Sequence, residues 1–383
     1  MSKIEPIDLL VLAREKEKRY EWTAAAEIHE KVLCGLSQQG DMFRTGEVAE
    51  RIGYCFHRAA MQAKSRDEFK RKMKLAIGSY RKAQGFYATL PDQQKEGREL
   101  RSKAVVTYLS YWLISKGSEK RKLLDECLEL EDRALTSFQN SGNMLEYART
   151  YNILWPVFFF RGCLEWDRKT LLALINKGIE RGEKAISTLS ELEYPSEVAW
   201  AYFTSATCLT YVASRDNHVG LFILEPEERE KDHLQVTISL TKAMALAEKL
   251  EDSYLKGLLN LWFAFSLCRG PAFSSNIENA LNSGIITQDN FLSGASLDML
   301  AYDSLWQGWG DPAGRWKGTE IGIEFHDKAL KHNSIINSRS FNCGPLSEPY
   351  GLATYYLLKA TIALDLSHQY RYVYYKSPAE IGP

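Results

Sequence analysis

Residues 22–33 read WTAAAEIHEKVL, and the spacing of their apolar members decides the fold. Trp22, Ala25, Ala26, His29, Val32 and Leu33 recur at i, i+3, i+4 and i+7, the period of one helix face rather than the alternation of a strand. The stretch carries a basic residue followed by a compact apolar one, Lys31-Val32, with the small Ala25 seven residues earlier. The step returns at Lys82-Ala83, Arg133-Ala134 and Lys184-Ala185, and the second residues are spaced by 51, 51 and 51. Lys242-Ala243, Asn279-Ala280 and Lys328-Ala329 follow at intervals of 58, 37 and 49. Ala76, Cys127, Gly178, Val236, Phe273 and Gly322 stand seven residues before these later anchors, most of them small.

Self-similarity at a fixed period marks a repeat architecture. Two small residues seven apart share a helix face and leave a groove for a neighbouring helix. The basic residue before each anchor lies beside that contact and reaches solvent near the helix C-terminus, where a cation is favoured. One amphipathic pair cannot bury its apolar faces alone, so pairs must stack. The predicted fold is therefore all-α: an α-solenoid of about seven antiparallel helix hairpins closed by a C-terminal capping helix. Residues 1–383 read as a single helical-repeat domain with units at approximately 5–40, 46–90, 92–140, 143–190, 195–250, 252–286 and 289–335, and a cap at 345–368.

Turn chemistry punctuates the units. Gly40-Asp41 stops the second helix, Pro91-Asp92 closes the second unit, and Ser141-Gly142-Asn143 closes the third. Pro156 falls inside a helical pattern, so a kink is expected there. The long fifth interval places an insertion at 215–226, with an apolar patch Val219–Leu224. The stretch 307–318, with Gly308, Gly310, Pro312, Gly314 and Gly318, reads as a loop between the last two helices of the stack.

The 48 basic and 49 acidic residues leave a net charge of −1, which argues against a nucleic-acid partner. The seven Cys form no CxxC pair and fall mostly within helical patterns, which suits a reducing, cytoplasmic location better than a disulfide framework. The longest apolar runs, Ile153–Phe160 and Leu261–Cys268, are far short of the roughly 18–20 residues of a membrane span, so no membrane partner is expected. No signal peptide is visible in the charged N-terminal stretch.

Trp22-x-x-Ala25-Ala26-x-x-His29-x-x-Val32-Leu33 resembles the second helix of a tetratricopeptide repeat, and so does Ala76-Ile77-x-x-Tyr80-x-x-Ala83. The other units match chiefly at the anchor. The resemblance implies helix pairs wound into a right-handed superhelix whose inner groove is lined by first helices. The chain departs from that family in its period, 51 rather than 34, in its missing closing prolines, and in a first-helix glycine evident only at Gly53.

The first helices are unusually aromatic, which serves either core packing or a groove that holds a peptide. Asn152-x2-Trp155…Arg161-Gly162 recurs 108 residues later as Asn260-x-Trp262…Arg269-Gly270. Repeated Asn side chains offer a donor and an acceptor to an extended backbone; Arg-Gly alone reads equally as a helix stop. Asn152, Trp155, Arg161, Tyr202, Asn260, Trp262 and Arg269 are thus the candidate groove residues. Trp309, Asp311, Arg315 and Trp316 form a second candidate, a rigid aromatic loop able to stack on a ligand or to plug the end of the stack.

No metal or cofactor is expected from spacing. His326 and His332 are six apart, the wrong interval for one helix face, and there is no HExxH, Walker loop, GxSxG or GxGxxG. Asp298, Asp303, Asp311, Glu320 and Glu324 gather late without singling out a catalytic pair, so no catalytic residue is assigned. The leading expectation is an interaction scaffold that binds a peptide or partner protein in an open groove exposing Asn152 and Asn260. The alternatives are a carbohydrate-active enzyme on an α/α toroid, with the Trp loop facing a funnel beside Asp303 or Asp311, and a ligand-sensing regulatory module.

Overall fold

The computed structural model describes residues 6–162, 165, 167–191, 193–213, 226–267, 271–307 and 312–336. They form α1 (Pro6–Lys18), α2 (Trp22–Gln39), α3 (Met42–Met61), α4 (Arg66–Tyr87), α5 (Asp92–Tyr111), α6 (Gly117–Asn140), α7 (Met144–Ile153), α8 (Trp155–Gly162), α9 (Arg168–Thr188), α10 (Pro195–Ala213), α11 (Pro226–Lys249), α12 (Ser253–Leu267), α13 (Pro271–Thr287), α14 (Asn290–Gln307) and α15 (Pro312–Ile336). No strand occurs among the described residues. Consecutive helices pack as antiparallel hairpins, α1 with α2 through α14 with α15, with α7 and α8 together serving as one first helix. The protein is an all-α solenoid of the tetratricopeptide-like kind. Residues 215–225 of the expected 215–226 insertion, and the cap at 345–368, lie outside the described residues; Pro226 starts α11.

Every anchor of the repeated step is inside. Val32 is 1% exposed, and Ala83, Ala134, Ala185, Ala243, Ala280 and Ala329 are fully buried. Their basic neighbours Lys31, Lys82, Arg133, Lys242 and Lys328 face solvent. Lys184 is half-buried and lays its ammonium 5.7 Å from the Tyr147 ring centre. The step is a packing device, as its spacing implies. The first-helix surfaces that receive the second helices repeat with the same period. A Cβ on Gly97 would lie 2.7 Å from the Phe138 ring; Gly46, 51 residues earlier, stands in the same way against Tyr87, itself 51 before Phe138. Only glycine permits this approach of ring to backbone.

Local signals act where the sequence places them. Gly40, at φ 77°, ends α2 in the left-handed conformation, and its N–H donates to Ser37 O. Asp41 then caps α3 through the Arg44 N–H. Pro156 lacks the donor that would bond the carbonyl of residue 152, and the helix breaks at Leu154 into α7 and α8. The stretch 307–318 departs from its expected reading: α15 begins at Pro312, so Arg315 and Trp316 stand on a helix rather than in a loop. Proline at the first helical position costs no backbone bond, which is why this one starts a helix instead of preventing it.

The stack returns on itself, where an open groove was expected. In an open solenoid each unit touches only its neighbours. Here Phe291 at the start of α14 meets Trp112 after α5, Trp155 and Phe160 on α8, with ring centres 6.4, 6.3 and 6.3 Å apart. Trp262 on α12 lies 5.3 Å from both Trp155 and Phe203. First helices from units three to seven therefore converge on one aromatic cluster. Polar contacts close the same seam. Asn290 Nδ2 donates to the carbonyls of Met61 and Ala63 at 2.7 and 2.8 Å. Gln62 Nε2 donates to Thr287 O at 2.8 Å, and Arg66 donates to Ile335 O and Trp112 O. The Arg58 guanidinium pairs with Asp289 at 3.0 Å, both side chains buried.

Candidate functional site

Charge pairs at the repeat period clamp the first helices side by side. Glu47, Arg98 and Arg149 are spaced by 51, as are Glu50, Arg101 and Asn152. Arg101 donates to Glu50 from one side and to Glu146 from the other; Arg98 also approaches Glu47 and Glu146, and Arg149 bridges Glu146 and Glu197. The ladder thus runs α3, α5, α7, α10. Burial alone would raise the Glu146 carboxyl, but Arg101 and Arg98 outweigh it and hold it at about 2. Sequence reasoning missed this ladder, although its 51-residue spacing is in the chain.

At the seam a strip of rings and guanidinium groups crosses from the first units to the fifth and sixth. Arg51 lies 4.8 Å from the Tyr54 ring centre, Tyr54 meets Trp22 edge to face, and Arg58 sits 3.6 Å over Tyr254. Tyr254 in turn tilts against Trp200 at 6.1 Å. Tyr54, Trp200 and Tyr254 are half-buried. Burial raises the Tyr54 and Tyr254 phenols above their ordinary value, so both stay protonated. Burial would lower Arg58, but Tyr254 and Asp289 outweigh it and keep the guanidinium charged. His57, driven down to about 3 by burial and then by Arg58, is neutral and stands edge-on to Tyr108.

The residues singled out from sequence separate into two groups. Trp155 and Trp262 belong to the core: Trp262 is fully buried and Trp155 is 7% exposed. Asn152 is buried too, with Nδ2 donating to Glu197 O at 2.8 Å, so it ties α7 to α10. Arg161 is buried between Asp125 and Glu165. Tyr202 and Asn260 are half-buried: Lys242 sits 5.2 Å from the Tyr202 ring centre, and Asn260 Nδ2 donates to Lys256 O within its own helix. The 108-residue echo therefore has unlike roles at its two Asn. Arg269, Trp309 and Asp311 lie outside the described residues; Arg315 and Trp316 are placed only as backbone of α15.

Asp303 is buried and accepts from the Ser274 hydroxyl at 2.6 Å. The centre that a toroid enzyme would keep as a funnel is occupied by the Trp155, Phe203, Trp262 and Phe291 rings. The cavity beside α8 and α9, lined by Phe158, Gly162, Leu171 and Cys208 among others, has room for about one water molecule, ≈ 10 Å³. His326 and His332 serve different partners on α14, Asp298 and Asn290. Glu17, His29 and Cys55, from α1, α2 and α3, come together in a buried cluster. Burial would raise Glu17, but its bonds to Arg51 and His29 hold it at about 2, while burial and the Glu17 charge push the Cys55 thiol well up. No described helix is long and apolar enough to cross a membrane.

No family model matches the chain, and no curated protein matches it. Among solved structures, the Rap conjugation gene regulator of the plasmid pLS20, in complex with the Phr* peptide, is similar at a TM-score of 0.51. It shares 11% identity, over 86% of this chain and 76% of that chain. A circular tandem repeat protein with novel repeat topology and enhanced subunit contact surfaces gives a TM-score of 0.31 and 12% identity, over 93% of this chain and 90% of that one. The first likeness is one of fold: helix hairpins stacked as a solenoid.

Proposed function

We propose that this chain is a binding protein that takes a peptide or an extended segment of a partner protein on the half-buried strip at its seam. The observation that carries this reading is the alternation of Arg51, Tyr54, Arg58, Tyr254 and Trp200, whose three aromatic residues are half-buried. Partly exposed Tyr and Trp held rigidly by neighbours are the usual anchors of peptide recognition, because they offer large area at small entropic cost. The likeness to a Rap regulator solved with a Phr* peptide supports a peptide as ligand. The enzyme reading loses ground because its funnel would be filled by side chains.

Selection from a displayed random-peptide library on the purified chain tests this. A common motif should be enriched, and binding of the selected peptide should fall at least tenfold in Trp200→Ala and in Tyr254→Ala. Equal affinity for the wild type and both variants would remove the strip from the binding surface.

A further inference from the structure

The Glu17 cluster has an arrangement that a salt bridge alone does not need. One oxygen, Glu17 Oε1, is approached by three groups: His29 Nε2 at 2.9 Å, Arg51 Nε at 2.8 Å and Cys55 Sγ at 3.5 Å. A carboxylate oxygen has two lone pairs, so three donors overfill it. The three ligand atoms Nε2, Oε1 and Sγ lie within 4.8 Å of one another, and Glu17, His29 and Cys55 are 7%, 3% and 0% exposed. They come from three different helices, so no interval within one helix reveals them.

We propose that Glu17, His29 and Cys55 form a binding site for a zinc-type divalent cation. An imidazole nitrogen, a carboxylate oxygen and a thiolate are the donor set of four-coordinate zinc, with bonds of about 2.0–2.3 Å. Around a tetrahedral ion those lengths put N and O about 3.4 Å apart, and O and S about 3.6 Å apart. The Nε2–Oε1 distance must widen from 2.9 Å by about half an ångström, and the Sγ–Oε1 distance of 3.5 Å needs almost no change. Carboxylate and thiolate neutralise the ion; on binding the Cys55 proton leaves to solvent, the His29 proton moves from Nε2 to the unpartnered Nδ1, and the Arg51 guanidinium leaves the site with one positive charge. Arg51 holds both carboxylate oxygens, so its Nε must give up Oε1 to the metal while its terminal nitrogen keeps Oε2. Hydrogen-bonded carboxylate ligands of this kind are common around metal sites. The Arg51 side chain is 46% exposed, so its displacement opens a path from solvent. A fourth position is left for water. The ion would pin α1 to the first full turn of the stack.

The test uses the full chain stripped with a chelator and titrated with cobalt(II) chloride, whose thiolate charge-transfer band reports a Cys ligand. The wild type should take up one cobalt per chain with that band, and added zinc(II) should abolish it. Cys55→Ser, a near-isosteric change, should lose the band while retaining the helical circular dichroism of the wild type. As a second readout, zinc should raise the Tm of the wild type and leave that of Cys55→Ser unmoved. A wild type without the band, or a band of equal strength in Cys55→Ser, overturns the site.

Discussion

Replacing Arg58 by Met keeps most of the side-chain volume and removes its charge. In the folded chain Arg58 and Asp289 side chains are 5% and 0% exposed and 3.0 Å apart, and the guanidinium lies 3.6 Å over Tyr254. Removing one partner of such a pair leaves the other charge buried without compensation and costs about 3–5 kcal/mol. The cost should be local, because Arg58 joins parts of the chain that meet only at the seam. Hydrogen exchange is the assay. Amides at 58–66 and 253–291 should lose about 100-fold or more in protection, since every 1.4 kcal/mol is tenfold, whereas those in α6 and α9 keep theirs. Adding Asp289→Asn should restore much of the loss, as the stranded carboxylate is gone. A loss below tenfold at the seam, or equal losses in α6 and α9, would refute the view that this pair holds the closed turn.

The other expectations concern the ladder, the anchors and the core. Glu146, held at about 2 against an ordinary 4.5, contributes about 3 kcal/mol at neutral pH. Its folded value is depressed, so that contribution is present above pH 4.5 and lost as pH falls toward 2; a Glu146→Gln variant should show a flatter acid limb in urea midpoints against pH. Ala134→Leu should cost about 1–3 kcal/mol by overpacking a fully buried anchor, while exposed Arg133→Leu should change stability by about 0.5 kcal/mol or less, both read by urea denaturation. Trp262→Ala should cost about 3–5 kcal/mol as a core truncation, whereas Tyr202→Ala, at a half-buried position, should cost clearly less, both read by urea denaturation.

Local packing was legible in the chain because it repeats at short range. The anchors from Val32 to Ala329, the stop at Gly40 and the break near Pro156 each follow from steric needs that neighbouring residues declare. Pro312 misled because glycines around it outweighed its fitness for a helix start. The closing of the stack was not legible: Gln62 and Thr287, or Asn290 and Ala63, are partners separated by more than 200 positions with no period linking them. Burial of Trp155 and Trp262 follows from that closure, since the face expected to line an open groove is covered by units returning from later in the chain, whereas Asn152 is used up in joining its own unit to the next through Glu197 O. The Glu50–Arg101–Glu146 ladder was half legible. Its spacing is in the sequence, but the partner of a charge is fixed only once first helices lie side by side. The Glu17–His29–Cys55 cluster depends on three helices meeting, and no single interval announces it.

The binding strip is tested most directly by site-specific photocrosslinking. A benzophenone amino acid is placed at Trp200 on the strip, or at Leu234, which is 62% exposed on α11, and the library-selected peptide is added before irradiation. Binding at the seam predicts a peptide adduct from position 200 and none from position 234. An adduct from position 234 with none from position 200 would place the ligand on the outer surface and contradict it.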